Sequence, residues 1–241
     1  MPQISEEPPV TLRLDYLISK GKNLSRKETR RFILAERVSV DGQTCKKAAT
    51  QLTGREVVCL DGEPVSLPGE RYLMLNKPLD VVSATRDDEH STVLDLVPRE
   101  LRRDLHIAGR LDRDTTGLLL LTSDGQWSHR VTSPRSQCDK TYRMEVAEPC
   151  TDAMLTQLRA GVLLKGENKP TAPAQVEVLG ERQLRLVIRE GRYHQVKRML
   201  AAVGNHVNNL HREAIGAVHL DPALAPGEFR ALTPDEIDSL G

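Results

Sequence analysis

Cysteine is scarce and scattered: Cys45, Cys59, Cys138 and Cys150 form no CxxC pair. That spacing offers neither a disulfide frame nor a zinc site, and it predicts reduced thiols in a cytoplasmic protein. No apolar run approaches the roughly 18 residues needed to span a bilayer. The opening Met1-Pro2-Gln3-Ile4-Ser5-Glu6-Glu7 lacks the basic-then-apolar pattern of a secretion signal. Repeats of 20–50 residues and low-complexity segments are absent as well. Aromatic residues are few, with one Trp, two Phe and four Tyr in 241 residues. The apolar share of 39% and charged share of 28% are ordinary for a globular chain of this length.

Net charge is zero, but it is unevenly spread. Residues 11–60 carry eleven Lys/Arg against five Asp/Glu, whereas residues 61–241 carry 23 against 27. A basic end on a mildly acidic body suggests an appended module for an anionic partner.

Residues 1–10, with three prolines and two glutamates, read as a disordered lead-in. Leu12–Lys20 reads as a short amphipathic helix. Ser25 and Glu28 have capping-box spacing and predict a second helix to about Arg37. Val38–Gly42 then reads as a strand entering a tight turn. The second helix carries Arg26 and Lys27 in its first turn, against the macrodipole, at a cost of about 0.3–1 kcal/mol each. Arg30, Arg31 and Arg37 fall on much the same side. A helix start so loaded suits a bound anion.

A Pro- and Gly-rich stretch, residues 63–70, reads as a linker between a domain at 11–62 and another at 71–241. In the second, Arg71–Asn76 is a strand stopped by Lys77-Pro78, and Thr92–Val97 a short helix. The run Leu118–Leu121 reads as a buried strand ending at the turn pair Asp124-Gly125. Thr141–Ala147 alternates as a strand and Thr151–Ala160 is helical. Ala174–Leu179 and Gln183–Arg189 pair as a hairpin, and Tyr193–Val203 is an amphipathic helix. Strands near 206–220 and 228–231 and a helix begun by Thr233-Pro234 follow. With strands dominant and few repeating βα units, the fold class is α+β with a mixed, largely antiparallel sheet.

Three clusters carry candidate chemistry. Gly109–Gly117 crowds Arg110, Asp112, Arg113 and Asp114 against the buried strand, where a rigid element can fix a carboxylate at a cleft. By residue type alone Asp112 and Asp114 are equivalent. In the second cluster Val196, Met199 and Leu200 bury one helix face, while Arg192, His194, Lys197 and Arg198 supply donors for a phosphate or a carboxylate. In the third, Lys140-Thr141-Tyr142 sets a phenol at a strand start.

Taken in order, these segments resemble the pseudouridine synthases. The resemblance rests on Gly109-Arg110-Leu111-Asp112, Thr116–Thr122 with Asp124-Gly125, Lys140-Thr141-Tyr142, Gly191–Met199, Leu210–Glu213 and Ile215-Gly216. Arg13–Leu17, the Ser25–Arg37 segment and Val38–Gly42 resemble the α-L RNA-binding motif. Within the family, Trp127–Arg135 and Tyr193–Arg198 are most similar to the branch that modifies small-subunit (16S) ribosomal RNA. The resemblance makes Asp112, not Asp114, the catalytic carboxylate and pairs Lys197 with it. Tyr142 would stack on the uracil and accept the C5 proton, and Arg110 would enter the space left by a flipped base. It implies no metal or nucleotide cofactor and action on 16S RNA or an assembly intermediate, with uridine 516 as the target, and nothing in the sequence demands more than a monomer. Three other readings are a large-subunit target, an RNA-binding assembly protein without catalysis, and a hydrolase using the Asp112/Asp114 pair. The last needs the two carboxylates about 5–10 Å apart across one cleft.

Overall fold

The computed structural model describes residues 12–53, 55–133, 136 and 138–240. The expected lead-in, residues 1–10, and Pro134 and Arg135 of the Trp127–Arg135 segment lie outside the described residues. The chain divides into two compact units, Met1–Gly69 and Glu70–Gly241.

In the first unit, helices Leu14–Gly21 and Arg26–Leu34 lie beside short strands. Leu12 and Arg13 pair with Leu52 and Gln51 as a strand, so the first helix starts two residues later than its pattern suggests. Ser25 caps the second helix as its spacing predicts. Its hydroxyl accepts from the Glu28 amide at 3.2 Å, and the Glu28 carboxylate accepts from the Ser25 amide at 2.9 Å. This helix stops at Leu34, short of Arg37, because Glu36 turns to φ 61° and redirects the chain. Strands Gln43–Thr44, Val38–Val40, Val58–Leu60 and Glu63–Pro64 form a sheet in that order. Leu14, Ile18, Ile33, Val38 and Val58 make the core beneath it, with Val65 buried among them. Residues 63–65, expected in a linker, therefore pair and pack within this unit.

The second unit is α+β, as its strand-rich pattern implies. Among the described residues its sheet has nine strands. The main path runs Gln175–Gly180, Gln183–Ile188, Lys140–Val146, Val207–Ile215, Thr115–Thr122, Tyr72–Lys77 and Phe229–Ala231. His106–Ala108 and Val218–His219 pair beside this path. Every pairing is antiparallel except that of Val207–Ile215 with Thr115–Thr122.

The four-leucine run alternates between two buried faces. Leu119 and Leu121 join Leu75, Leu186, Met199 and Leu200 on one side. Leu118 and Leu120 join Met74, Trp127 and Val131 on the other. A strand covered on both faces needs no polar alternation, which is why the run is continuous. Each leucine so buried contributes about 1.5–3 kcal/mol. Asp124-Gly125 is not a strand turn. The Asp124 carboxylate accepts from the amides of Gln126 and Trp127 at 2.9 and 3.0 Å and caps a helix, Gly125–Thr132. That helix buries Trp127 and covers the second face. The short helix Arg99–Arg102 and strand His106–Ala108 carry no pattern strong enough to have been anticipated.

Candidate active site

A cleft of about 890 Å³ opens where the loop before the leucine strand meets the tyrosine strand and the start of helix Gln195–Ala202. The loop is pinned from below. Leu111 is buried in the core on one side of Asp112 and Thr115 is buried on the other. Ser83 Oγ donates to the Leu111 carbonyl at 2.7 Å and accepts from its amide at 3.1 Å. Lys77, fully buried at the strand end, donates from Nζ to the carbonyls of Thr115, Pro78 and Arg113 at 2.8, 2.9 and 3.2 Å. Burial lowers its pKa to about 8, against the pull of Asp114, Asp112 and Asp80 toward the charged form. Sequence reasoning treated Lys77 only as a strand stop and passed over Ser83. The signal for Lys77 was a cation closing an otherwise apolar strand.

Helix Gln195–Ala202 buries Val196, Met199 and Leu200 and turns Lys197 to the cleft. Its N-cap, His194, sits in the left-handed region at φ 46°. The Lys197 Nζ stands 3.1 Å from Asp112 Oδ2 and 2.5 Å from Asp114 Oδ1. His194 Nε2 stands 3.2 Å from the other Asp112 oxygen, Oδ1. Burial opposes the charge on Lys197, but its hydrogen bonds to Asp114 and Asp112 outweigh it and raise its pKa above that of a free lysine. The hydrogen bond from Lys197 holds the Asp114 carboxyl below its usual range. Both acids share one ammonium, but only Asp112 also meets His194. The Asp114 side chain remains 70% exposed against 29% for Asp112.

Tyr142 is 8% exposed and lines the same cleft, so the structure brings Asp112, Lys197 and Tyr142 together. Arg110 also lines it; it is exposed and has no hydrogen bond or ion pair among the described residues. Arg192 and Arg198, expected to meet RNA, are engaged internally. Arg192 pairs with Glu167 at 2.5 Å and Glu190 at 3.0 Å and donates to the carbonyls of Lys169 and Pro170. Arg198 pairs with Glu167 at 2.8 Å and donates to the carbonyls of Tyr193 and Lys165. Together they tie the 165–170 segment to the helix start.

In the first unit Arg26, Lys27, Arg30 and Arg31 are all exposed on their helix. Arg37 is held by Asp61 at 2.5 Å and lies over the Phe32 ring at 4.3 Å, which removes it from that group. Among the described residues no three His, Cys, Asp or Glu side chains gather as a metal site. No helix there is long and apolar enough to cross a membrane.

Residues 71–202 match the family of RNA pseudouridylate synthases, and residues 12–58 match the S4 domain. The chain is 50% identical over 231 residues to ribosomal small subunit pseudouridine synthase A of Yersinia pestis, spanning 95% of this chain and 98% of that one. It is 50% identical over 230 residues to the Escherichia coli protein of the same name, spanning 95% and 100%. The Vibrio cholerae protein of that name is 46% identical over 229 residues, spanning 95% and 99%. A crystal structure of a pseudouridylate synthase superposes with a TM-score of 0.70 at 43% identity, over 95% of this chain and all of that one.

Proposed function

We propose that this chain, which belongs to the RNA pseudouridylate synthase family and carries an S4 domain, isomerises a uridine of small-subunit ribosomal RNA, uridine 516. The observation that carries the site assignment is the Asp112–Lys197 contact of 3.1 Å in a cleft that also holds the Tyr142 ring. Relatives named for the small subunit, about half identical over nearly the whole chain, support the choice of RNA.

A uridine in folded RNA must leave its stack to reach this cleft, at a cost of a few kcal/mol. Arg110, exposed and unpaired beside the loop, is placed to fill the gap or hold the displaced strand. Asp112 faces the ribose as nucleophile, or as base if the reaction runs through a glycal. Lys197 and His194 each take one of its oxygens and orient it. Tyr142 stacks on the uracil and serves as acceptor for the C5 proton late in the reaction. The exposed cations Arg26, Lys27, Arg30 and Arg31 grip RNA phosphates, which positions the enzyme without reading sequence. The isomerisation needs no electron carrier, and in this reading the enzyme works without nucleotide or metal, as a cytoplasmic monomer on naked RNA or an assembly intermediate.

The test maps pseudouridine across both ribosomal RNAs in cells with and without the protein. Loss at the small-subunit uridine is expected, restored by the wild-type chain but not by Asp112→Asn. An intact small-subunit map with a missing large-subunit pseudouridine would reassign the target.

A further inference from the structure

One charge on the cleft wall has no part in that scheme. Arg212 is 1% exposed yet lines the cleft. Its Nε donates to the Leu118 carbonyl at 2.8 Å and its Nη2 to the Gly109 carbonyl at 3.3 Å. Among the described residues no carboxylate pairs with it. Its neighbour Glu213 is occupied by Arg185 at 2.8 Å, and Asp139, just before the strand that pairs with it, by Arg189 at 2.8 Å. An arginine cannot shed its proton, and a guanidinium taken out of water without a counter-ion is costly to the fold. Lys140 lines the same wall, but burial, with the Arg212 charge adding to it, lowers its pKa. Among the arginines that line the cleft, Arg212 is thus the buried one, a permanent cation set into the wall. Lys197, by contrast, is already balanced by two carboxylates.

Strand register decides what this charge faces. Arg212 is the cross-strand partner of Tyr142, and its guanidinium carbon lies 6.0 Å from the phenol ring centroid. A base stacked on Tyr142 therefore sits within the field of an uncompensated cation.

We propose that Arg212 stabilises the uracil electrostatically while it is detached from the ribose. This rests on the reading that the cleft isomerises uridine. When the C1′–N1 bond breaks heterolytically, the electron pair stays on the base and leaves it an anion. The electron-poor C1′ is taken up by the Asp112 carboxylate as a covalent bond, or a ribose proton passes to Asp112 to give the glycal. After the base turns, C5 bonds to C1′ and Asp112 is restored, which leaves a neutral adduct; the C5 proton then passes to a base while N1 takes up a proton, giving neutral pseudouridine. While the base is detached, from the breaking of C1′–N1 to the forming of C5–C1′, the ring carries a negative charge that the bound uridine lacks. A fixed cation that meets it there lowers the barrier without tightening ground-state binding.

The test compares Arg212→Met and Arg212→Lys with wild type under single-turnover conditions at saturating enzyme, with thermal melting to check folding. The substrates are two transcripts carrying uridine or 5-fluorouridine at the target, and the readout is loss of the N-glycoside. Fluorine withdraws electrons, so the detached fluorinated base is a more stable anion and needs the cation less. Arg212→Met is expected to slow the uridine transcript by more than tenfold and the fluorouridine transcript by a clearly smaller factor, with Arg212→Lys between. If Arg212→Met does not fold, the same inequality is expected of Arg212→Lys, which keeps a charge but draws it toward its own strand. Equal factors for the two bases, or an unchanged uridine rate, would overturn the proposal. Failure of the wild-type enzyme on both transcripts would instead overturn the isomerase reading beneath it.

Discussion

Gly117 faces Arg212 across the parallel pairing of their strands, and a methyl added to Gly117 would stand 2.4 Å from the Arg212 carbonyl oxygen. The glycine also holds φ +103°, which L side chains rarely adopt. Both the contact and the dihedral require the missing side chain. The strand that carries the active-site loop thereby lies close against the strand that carries Arg212.

Gly117→Ala is accordingly expected to destabilise the chain by at least about 2–3 kcal/mol, from backbone strain and strand separation together. Urea unfolding checks this. An unchanged midpoint would mean that the pairing tolerates the methyl.

Asp112→Asn is expected to abolish pseudouridine formation while RNA binding survives, because Asn can neither form the covalent bond nor take a proton. Asp114→Asn should lower the rate less than about tenfold, since Lys197 still reaches Asp112 at 3.1 Å. Rate and binding assays on the two variants separate these roles. Substantial turnover by Asp112→Asn, or inactivity of a folded Asp114→Asn, would reverse the assignment.

Lys197→Met should cost about 10²–10³-fold in rate, the scale of one lost preorganised electrostatic contact at the reacting group. Lys197→Arg should recover part of that, because a guanidinium can still pair with Asp112. Comparable rates for wild type and Lys197→Met would show that the ion pair is only structural.

Lys77 predicts a pH effect on stability. Its folded pKa is about 8, against 10.5 for the ordinary side chain. Between those values the unfolded chain binds more protons, so this group's contribution raises stability as pH increases. Below pH 8 both states are charged and the burial penalty is present in full. The gain is at most about 3 kcal/mol. Unfolding of wild type and Lys77→Met at pH 7.5 and 10 should show the difference moving in favour of wild type. Parallel behaviour would mean that Lys77 titrates normally.

Replacing Arg26, Lys27, Arg30 and Arg31 by alanine should reduce the salt dependence of RNA binding. At about 0.7 per phosphate contact on single strands, the slope of log K against log salt falls by up to about 3. Binding titrations across a salt series measure it. An unchanged slope would place the phosphate contacts elsewhere.

Much of this was legible in the chain. Ser25 with Glu28, Thr151 and Thr233 announced helix starts, because capping is local chemistry between residues three apart. The leucine run announced a strand buried on both faces. Asp124 misled, because a turn pair and a helix cap use the same short polar side chain bonding amides two and three residues on. Lys77 and Ser83 escaped because their partners, Thr115 and Leu111, lie 38 and 28 residues away.

Sequence by itself determined most of the elements, the α+β class and the family, since these rest on periodicity, caps and motifs read along the chain. By residue type alone Asp112 and Asp114 were equivalent; the motif resemblance named Asp112. Only the tertiary structure distinguished their surroundings, by setting His194 against one acid and leaving the other largely in solvent. It likewise turned Arg192 and Arg198 inward to Glu167 and left Arg212 without a counter-ion beside Tyr142. Distance and burial between remote segments decide what a charge does, and neither is written in the order of residues.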